Sequence, residues 1–187
     1  MSTMNYYGAK DLAASYRTVR KNTIQIAEEI PEDKYSYRPV EGTKSIAETL
    51  VHIALSVKFQ EQINLVEKRT NMEGFDFPKL MQELAAESAK PRTKAQIVEL
   101  LKTEGEKFAS ALEQLSDDFL GQTITMPPGG QPPSRTRFDM LISVKEHEMH
   151  HRGQLMLMER MIGITPHLTR AMQERMAAMQ AAASQKK

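Results

Sequence analysis

The run His147-Glu148-Met149-His150-His151 sets three of the chain's five histidines within five residues. His147 and His151 stand four apart, so a helix projects both from one face, one turn from each other. That is how a helix offers two nitrogen ligands to a single metal ion. The surrounding residues carry helical periodicity: Met140, Val144, His147, His151, Leu155, Met158 and Ile162 step by threes and fours, the stripe of a core-facing helix. Two imidazoles therefore lie in an apolar stripe, and burying one without partners costs on the order of 1–3 kcal/mol per unsatisfied group. A third, His52, lies in line with an apolar stripe of an earlier segment. Three imidazoles meeting in a core repel one another when protonated, and a divalent cation resolves this by binding their neutral forms. The alternative is that each buried imidazole bonds a carbonyl or carboxylate and does no chemistry; the clustering favours the metal. His150 points off the stripe and His167 lies beyond Gly163, so both are expected at the surface or in support.

Three metal patterns compete for these letters. In H-E-x-x-H, Glu148 would be the general base of a zincin-type metalloprotease. The longer metzincin form fails, since Gln154 and Leu157 stand where a glycine and a third histidine are required. A downstream glutamate such as Glu174 could complete a gluzincin, but that chemistry pairs its substrate with a strand, and no strand is evident. The di-iron bundle pattern E-x-x-H matches Glu148 and His151, yet it needs a second such pair, which is missing. The third pattern is a three-histidine site from His52, His147 and His151 with coordination positions left open.

The elements that position these residues read as helices. One spans about Tyr7 to Ile30 and is stopped by Pro31. Ser45 followed by Glu48 is a capping box that starts a second, apolar on two sides. Its stripes are Ile46, Leu50, Ile53 and Val57, and His52, Leu55, Phe59, Ile63 and Val66. A weaker helical stretch covers Lys79 to Ala89, and Thr93 caps a helix whose inner face ends at Leu115. Ser116 to Thr136, rich in Pro and Gly, is expected to be an irregular connector, or else a cover for a pocket. The histidine helix runs from about Phe138 to Ile162. Pro166 opens a last helix to about Ala182, which Met172, Met176 and Met179 are expected to hold on the bundle; a dimer interface is the alternative use of these methionines. The expected class is all-α: one domain over residues 1–187, with a core bundle at about 7–162 and a C-terminal helix at about 166–182.

Composition narrows the functions. With 25 basic and 24 acidic residues the net charge is +1, and no basic stripe argues for nucleic acid. No apolar run approaches the roughly 20 residues of a membrane span, and the polar start, Met1 to Lys10, lacks a secretory pattern. Cysteine is absent, which excludes disulfides, thiolate ligands and a cysteine nucleophile. A soluble, cytoplasmic protein is expected.

Tyr35 to Ile53, with Tyr37-Arg38-Pro39, Gly42, Ser45-Ile46, Glu48 and Leu50 leading to His52, resembles the first signature of the DinB-like superfamily. His147 to Leu155 resembles its second, and the resemblance covers roughly Tyr7 to Ile162. It implies a four-helix bundle, commonly a homodimer, with a metal held by His52, His147 and His151. It also implies a metal-dependent enzyme on a small molecule, a thiol S-transferase or isomerase using a low-molecular-weight thiol, or a protein without established activity; a hydrolase is the other type expected of such a site. The chain departs from the pattern in having no Trp, with Tyr35 and Tyr37 in that segment, and in the extension Pro166 to Lys187. From the residues alone, a neutral three-nitrogen site leaves a divalent ion its full charge, able to ionise a thiol or water. Zinc or nickel is favoured, with iron, manganese and copper left open. The contrasting reading is a non-enzymatic, dimeric metal-binding or partner-binding protein. Glu48 is expected to act as a helix cap; Glu148 is either a solvated carboxylate or a partner of the site.

Overall fold

The computed structural model of the protein describes residues 7–184; of the Ser-Gln-Lys-Lys tail for which fraying is expected, Ser184 closes the last helix, and the Gln-Lys-Lys end, like the polar segment before Tyr7, lies outside the described residues. The chain forms α1 (Ala9–Glu29), α2 (Ile46–Gln60), α3 (Phe77–Ser88), α4 (Lys94–Glu113), α5 (Asp117–Gly121), β1 (Thr123–Thr125), β2 (Ser134–Thr136), α6 (Arg137–Met161) and α7 (His167–Ser184). The all-α expectation holds, with one small hairpin added. The capping box behaves as its sequence indicates: the Ser45 hydroxyl accepts from the Glu48 N–H at 3.2 Å, and Glu48 accepts from the Ser45 N–H at 2.9 Å. Thr93 and Thr136 cap α4 and α6 in the same way through the N–H groups of Gln96 and Asp139. No helix among the described residues is long and apolar enough to cross a membrane.

Helices α4 and α6 each pack against both α1 and α2, so these four form the bundle with α1 and α2 on one diagonal. The core is split along its axis. Towards one end Ile26, Ile30, Leu50, Ile53, Leu101, Leu155 and Met158 form an apolar cluster. Towards the other, Leu12, Tyr16, Val57, Phe108, Leu112, Leu141 and Val144 form a second. Between them, on α1, α4 and α6, stand Arg20, Gly105 and Glu148, all buried. This polar layer lies at the level of His147 and His151.

The Pro- and Gly-rich segment after α4 is not an irregular connector. Its Thr123, Ile124 and Thr125 pair antiparallel with Thr136, Arg135 and Ser134, and the Met72 N–H donates to the Thr125 carbonyl at 2.9 Å. Ile124 is fully buried against Ile63 and Met140, which anchors the hairpin. Three-residue strands give too short an alternation to read from sequence. The segment does not cover the cavity described below, because none of its residues lines it. Past Gln60, α2 widens into a π-helical stretch, Glu61–Val66. Arg137, the first residue of α6, is fully buried and donates to the carbonyls of Lys68 and Arg69 at 2.9 and 2.7 Å, which fixes where α6 begins.

Helix α7 also departs from expectation. Met172, Met176 and Met179 are 56%, 44% and 59% exposed, so they do not hold the helix on the bundle. Its first turn does that. His167, expected near the surface, is buried there, and Arg170 donates to both Glu29 carboxylate oxygens at 2.8 Å. Periodic spacing shows which residues share a face of a helix, but not whether another surface receives that face. Beside this junction Glu159 is fully buried and neither carboxylate oxygen has a hydrogen-bond partner. Burial, together with the Glu29 charge, pushes its pKa up to about 7, with Arg170 and Arg160 opposing. Its folded pKa thus lies above the unfolded value, so the folded state holds this proton more tightly and ionisation destabilises it. Glu159→Gln is therefore expected to match wild type at pH 4.5 and to exceed its stability increasingly up to pH 8. The gain is on the order of 3 kcal/mol, to be read from urea denaturation at each pH.

Candidate metal centre

Helix α2 carries His52 and α6 carries His147 and His151, and the bundle brings all three to one place. The Nε2 atom of His147 lies 3.1 Å from Nε2 of His52 and 3.1 Å from Nε2 of His151. The ligand atoms of all three fall within 4.8 Å of one another. All three rings are half-buried, at the bundle surface rather than in its interior. Burial and the neighbouring imidazoles push the pKa values of His52 and His147 down to about 4. Burial likewise lowers that of His151. All three rings are therefore neutral at physiological pH.

The donor chemistry fits a metal better than it fits hydrogen bonds. His151 Nδ1–H donates to Gln154 Oε1 at 2.7 Å, which leaves a lone pair on its Nε2. That lone pair faces His147 Nε2, which also faces His52 Nε2, and one ring nitrogen bears either a single proton or a single lone pair. The contacts cannot all be good hydrogen bonds. Three nitrogens at 2.0–2.1 Å from one ion lie roughly 2.9–3.4 Å apart in octahedral or tetrahedral arrangements. Both 3.1 Å separations fall in that interval. Gln154 also donates its Nε2 to His150 Nε2 at 3.1 Å, so His150, exposed as expected, steadies Gln154 rather than joining the cluster.

Glu148 has neither of the roles the sequence leaves open. It is fully buried, not solvated, and it turns away from the histidines into the polar layer. Arg20 Nε donates to both of its oxygens at 3.0 Å, and Arg20 Nη2 reaches Oε2 at 3.0 Å. A carboxylate held this way has no access to a substrate, so the H-E-x-x-H protease reading fails on geometry. The face of α6 that enters the core is Leu141, Val144, Glu148 and Leu155, with the histidines along its edge. Glu48 is the expected cap and also pairs with Arg38 at 2.7 Å.

Arg20 itself is the residue the sequence reading passes over. Besides Glu148, it donates to the Leu101 carbonyl of α4 at 2.8 Å and to the Ile53 carbonyl of α2 at 3.3 Å. Ile53 follows His52 and Glu148 follows His147, so one guanidinium ties the Ile53 carbonyl on α2 to the Glu148 carboxylate on α6, each next to a candidate ligand. A charged residue between Tyr16 and Thr23 on an otherwise buried face of α1 is the signal that marks it. Gln154 is marked only by its i+3 spacing from His151.

Residues 15–155 match the model of the DinB superfamily, and the chain belongs to that family. Over 159 residues it is 28% identical to an uncharacterized protein of Bacillus subtilis, YjoA, covering 84% of this chain and 92% of that protein. The crystal structure of this DinB-like YjoA superposes with a TM-score of 0.58 at 30% identity, over 82% of this chain and 92% of the other. YfiT from Bacillus subtilis, described as a probable metal-dependent hydrolase with an unusual four-helix bundle topology, superposes with a TM-score of 0.64 at 16% identity, over 88% and 93% of the two chains. A DinB-family member from Exiguobacterium sibiricum gives 0.58 at 19% identity, over 86% and 95%. The last two show the shared fold.

Gly105 is where the Arg20 geometry is most exposed to mutation. A Cβ there would lie 2.7 Å from Arg20 Cγ and 3.1 Å from Cδ. In an open helix Gly→Ala is worth about 1 kcal/mol of stability. Here Gly105→Ala is expected to destabilise by about 1–3 kcal/mol, because the stem of a fully engaged side chain must shift. Glu148→Gln is expected to cost about 3–5 kcal/mol, since it leaves the buried guanidinium without its counter-charge. Urea denaturation checks both. In an Arg20→Ala/Glu148→Ala background, which has no Cγ at position 20, Gly105→Ala is expected to be neutral or stabilising.

Proposed function

We propose that His52, His147 and His151 hold a divalent transition metal and that the protein is a metal-dependent enzyme of hydrolytic type acting on a small molecule. The observation that carries this reading is the convergence of three neutral imidazole Nε2 atoms that hydrogen bonding alone cannot satisfy. The donor set is all-nitrogen and neutral, with no protein carboxylate or thiolate among its members to close the shell, and open sites are the mark of catalytic rather than structural metal centres. Membership of the DinB superfamily and the description of YfiT as a probable metal-dependent hydrolase support the same reading. We take zinc or nickel as the ion, on the suitability of imidazole for both.

When bound, such an ion supplies a Lewis acid that polarises a substrate oxygen and acidifies water or a thiol placed against it. The chain's own residues do the rest. Gln154 fixes the His151 tautomer, and Arg20 with Glu148 sets the separation of α2 from α6. Among the described residues no carboxylate joins the histidine group as a general base, and Glu148 is engaged with Arg20. The homodimer implied by the family resemblance is part of this reading, and sedimentation tests it.

Elemental analysis of the purified protein is expected to find about one equivalent of divalent metal per chain. His52→Ala and His147→Ala are expected to lose it and His150→Ala to keep it. Gln154→Leu is expected to weaken affinity about 10–100-fold, the usual effect of removing a residue that orients a ligand imidazole. A wild-type protein without stoichiometric metal after incubation with zinc and nickel would sink the proposal.

A further inference from the structure

His52 and His147 form part of the wall of a cavity of about 590 Å³, within the range of small-molecule sites. Its lining runs from His52 two turns along α2 to Gln60, takes Ser143 and Val144 from α6, and is closed by α3 through Phe77, Met81, Leu84 and Ala85. Among the described residues none of those lining it carries a charged side chain. The contrast with the next groove is sharp. On the other side of α3, between α2 and α4, the wall holds Lys58, Glu61, Glu83, Glu87, Glu104 and Lys107. Helix α3 thus turns Glu83 and Glu87 away from the histidines and Phe77, Met81 and Ala85 towards them, with Leu84 bordering both sides. No residue of α3 is fully buried, so this face serves the cavity rather than the bundle core. Phe59 of α2 holds α3 in place by edge-on contacts with Phe77 and with Phe75 just before the helix, at ring separations of 5.7 and 6.3 Å.

The polar groups of the cavity are specific in what they offer. Ser56, one turn after His52, donates its hydroxyl proton to the Ile53 carbonyl at 2.9 Å. Ser143, one turn before His147, donates to the Met140 carbonyl at 2.6 Å. With those protons committed, both hydroxyls present lone pairs and accept hydrogen bonds from a ligand. Gln60 and Ser88 add neutral donors, but no cationic side chain lines the cavity to answer a full negative charge, and a charge taken from water without a counter-charge is strongly disfavoured.

We propose that this cavity binds the uncharged, apolar body of the substrate, aliphatic or aromatic and free of phosphate or carboxylate, with a neutral N–H or O–H group directed at Ser56 and Ser143 and the reacting end at His52 and His147. The proposal rests on the metal-site reading only for what happens at the histidines; the selectivity belongs to α2, α3 and α6.

A matched pair of probes tests it: 1-naphthol and 1-naphthyl phosphate share one ring system and differ in charge. Calorimetric titration of the protein as purified is expected to show 1-naphthol binding at least tenfold more tightly. Met81→Glu, on a helix that contributes nothing fully buried, is expected to weaken 1-naphthol at least tenfold with unchanged circular dichroism. Met81→Leu is expected to restore it, and Met81→Lys to shift preference towards the phosphate. Equal or tighter binding of the phosphate by wild type, or 1-naphthol binding unaffected by Met81→Glu, overturns the proposal. The two readings fail separately. A protein that binds 1-naphthol through Met81 but carries no metal keeps the cavity and loses the metal centre; one with stoichiometric metal and no probe preference does the reverse.

Discussion

A guanidinium buried at the centre of a helical bundle is the constraint from which the rest of this structure follows. Arg20 is surrounded by α2, α4 and α6, and taking its charge out of water is affordable only because every side of it is answered: Glu148 by a forked ion pair, Leu101 and Ile53 by their carbonyls. The apolar clusters above and below could be repacked with other side chains of similar volume. The polar layer between them cannot, because its members are matched in charge, direction and distance. Gly105 belongs to this layer although it makes no bond, since the Arg20 stem occupies the place of its side chain. An interaction of this kind adds little net stability over an apolar core, but it allows one register of the four helices and penalises the others.

That register matters because the histidine cluster, the candidate metal centre, is divided between helices. His147 and His151 keep their spacing through the α6 backbone alone, whereas His52 reaches them only if α2 is held at the right height and rotation. Arg20 bonds the carbonyl of the residue after His52 and the carboxylate of the residue after His147. The linkage is therefore as short as a bundle permits. Arg137 does a related task one end away, where it joins the start of α6 to the carbonyls following α2. Two buried arginines thus set α6 against α2 at its beginning and at its middle.

The distribution of charge around α3 gives the site its surroundings. The same short helix borders an uncharged cavity on one side and a groove of lysines and glutamates on the other. It contributes to both while leaving the bundle core complete, which separates the part of the molecule that recognises a ligand from the part that maintains the fold. Helix α7 is different again. It is fastened at its first turn by His167 and the Arg170–Glu29 pair, and beyond that turn it lies exposed.

The helices, their caps and the His147–His151 pair are legible in the linear chain, because these depend on local spacing: Ser45 with Glu48, Thr93 with Gln96, and His147 with His151 all lie within about one turn of each other. It placed His52 on an inward stripe and, through resemblance to a family, with the other two. It misjudged the parts whose meaning depends on distant partners. Glu148 reads as a catalytic base or a solvated carboxylate until Arg20, 128 residues away in sequence, is seen to hold it in the core. The methionines of α7 read as packing residues until the bundle is seen to offer them no surface, and the loop after α4 reads as irregular until Ile124 finds Ile63 and Met140. That the three imidazole Nε2 atoms converge, and that an uncharged cavity opens beside them, is visible only once the helices are packed. Local spacing fixes which way a side chain points along its own helix; what it meets there is set by how the helices pack.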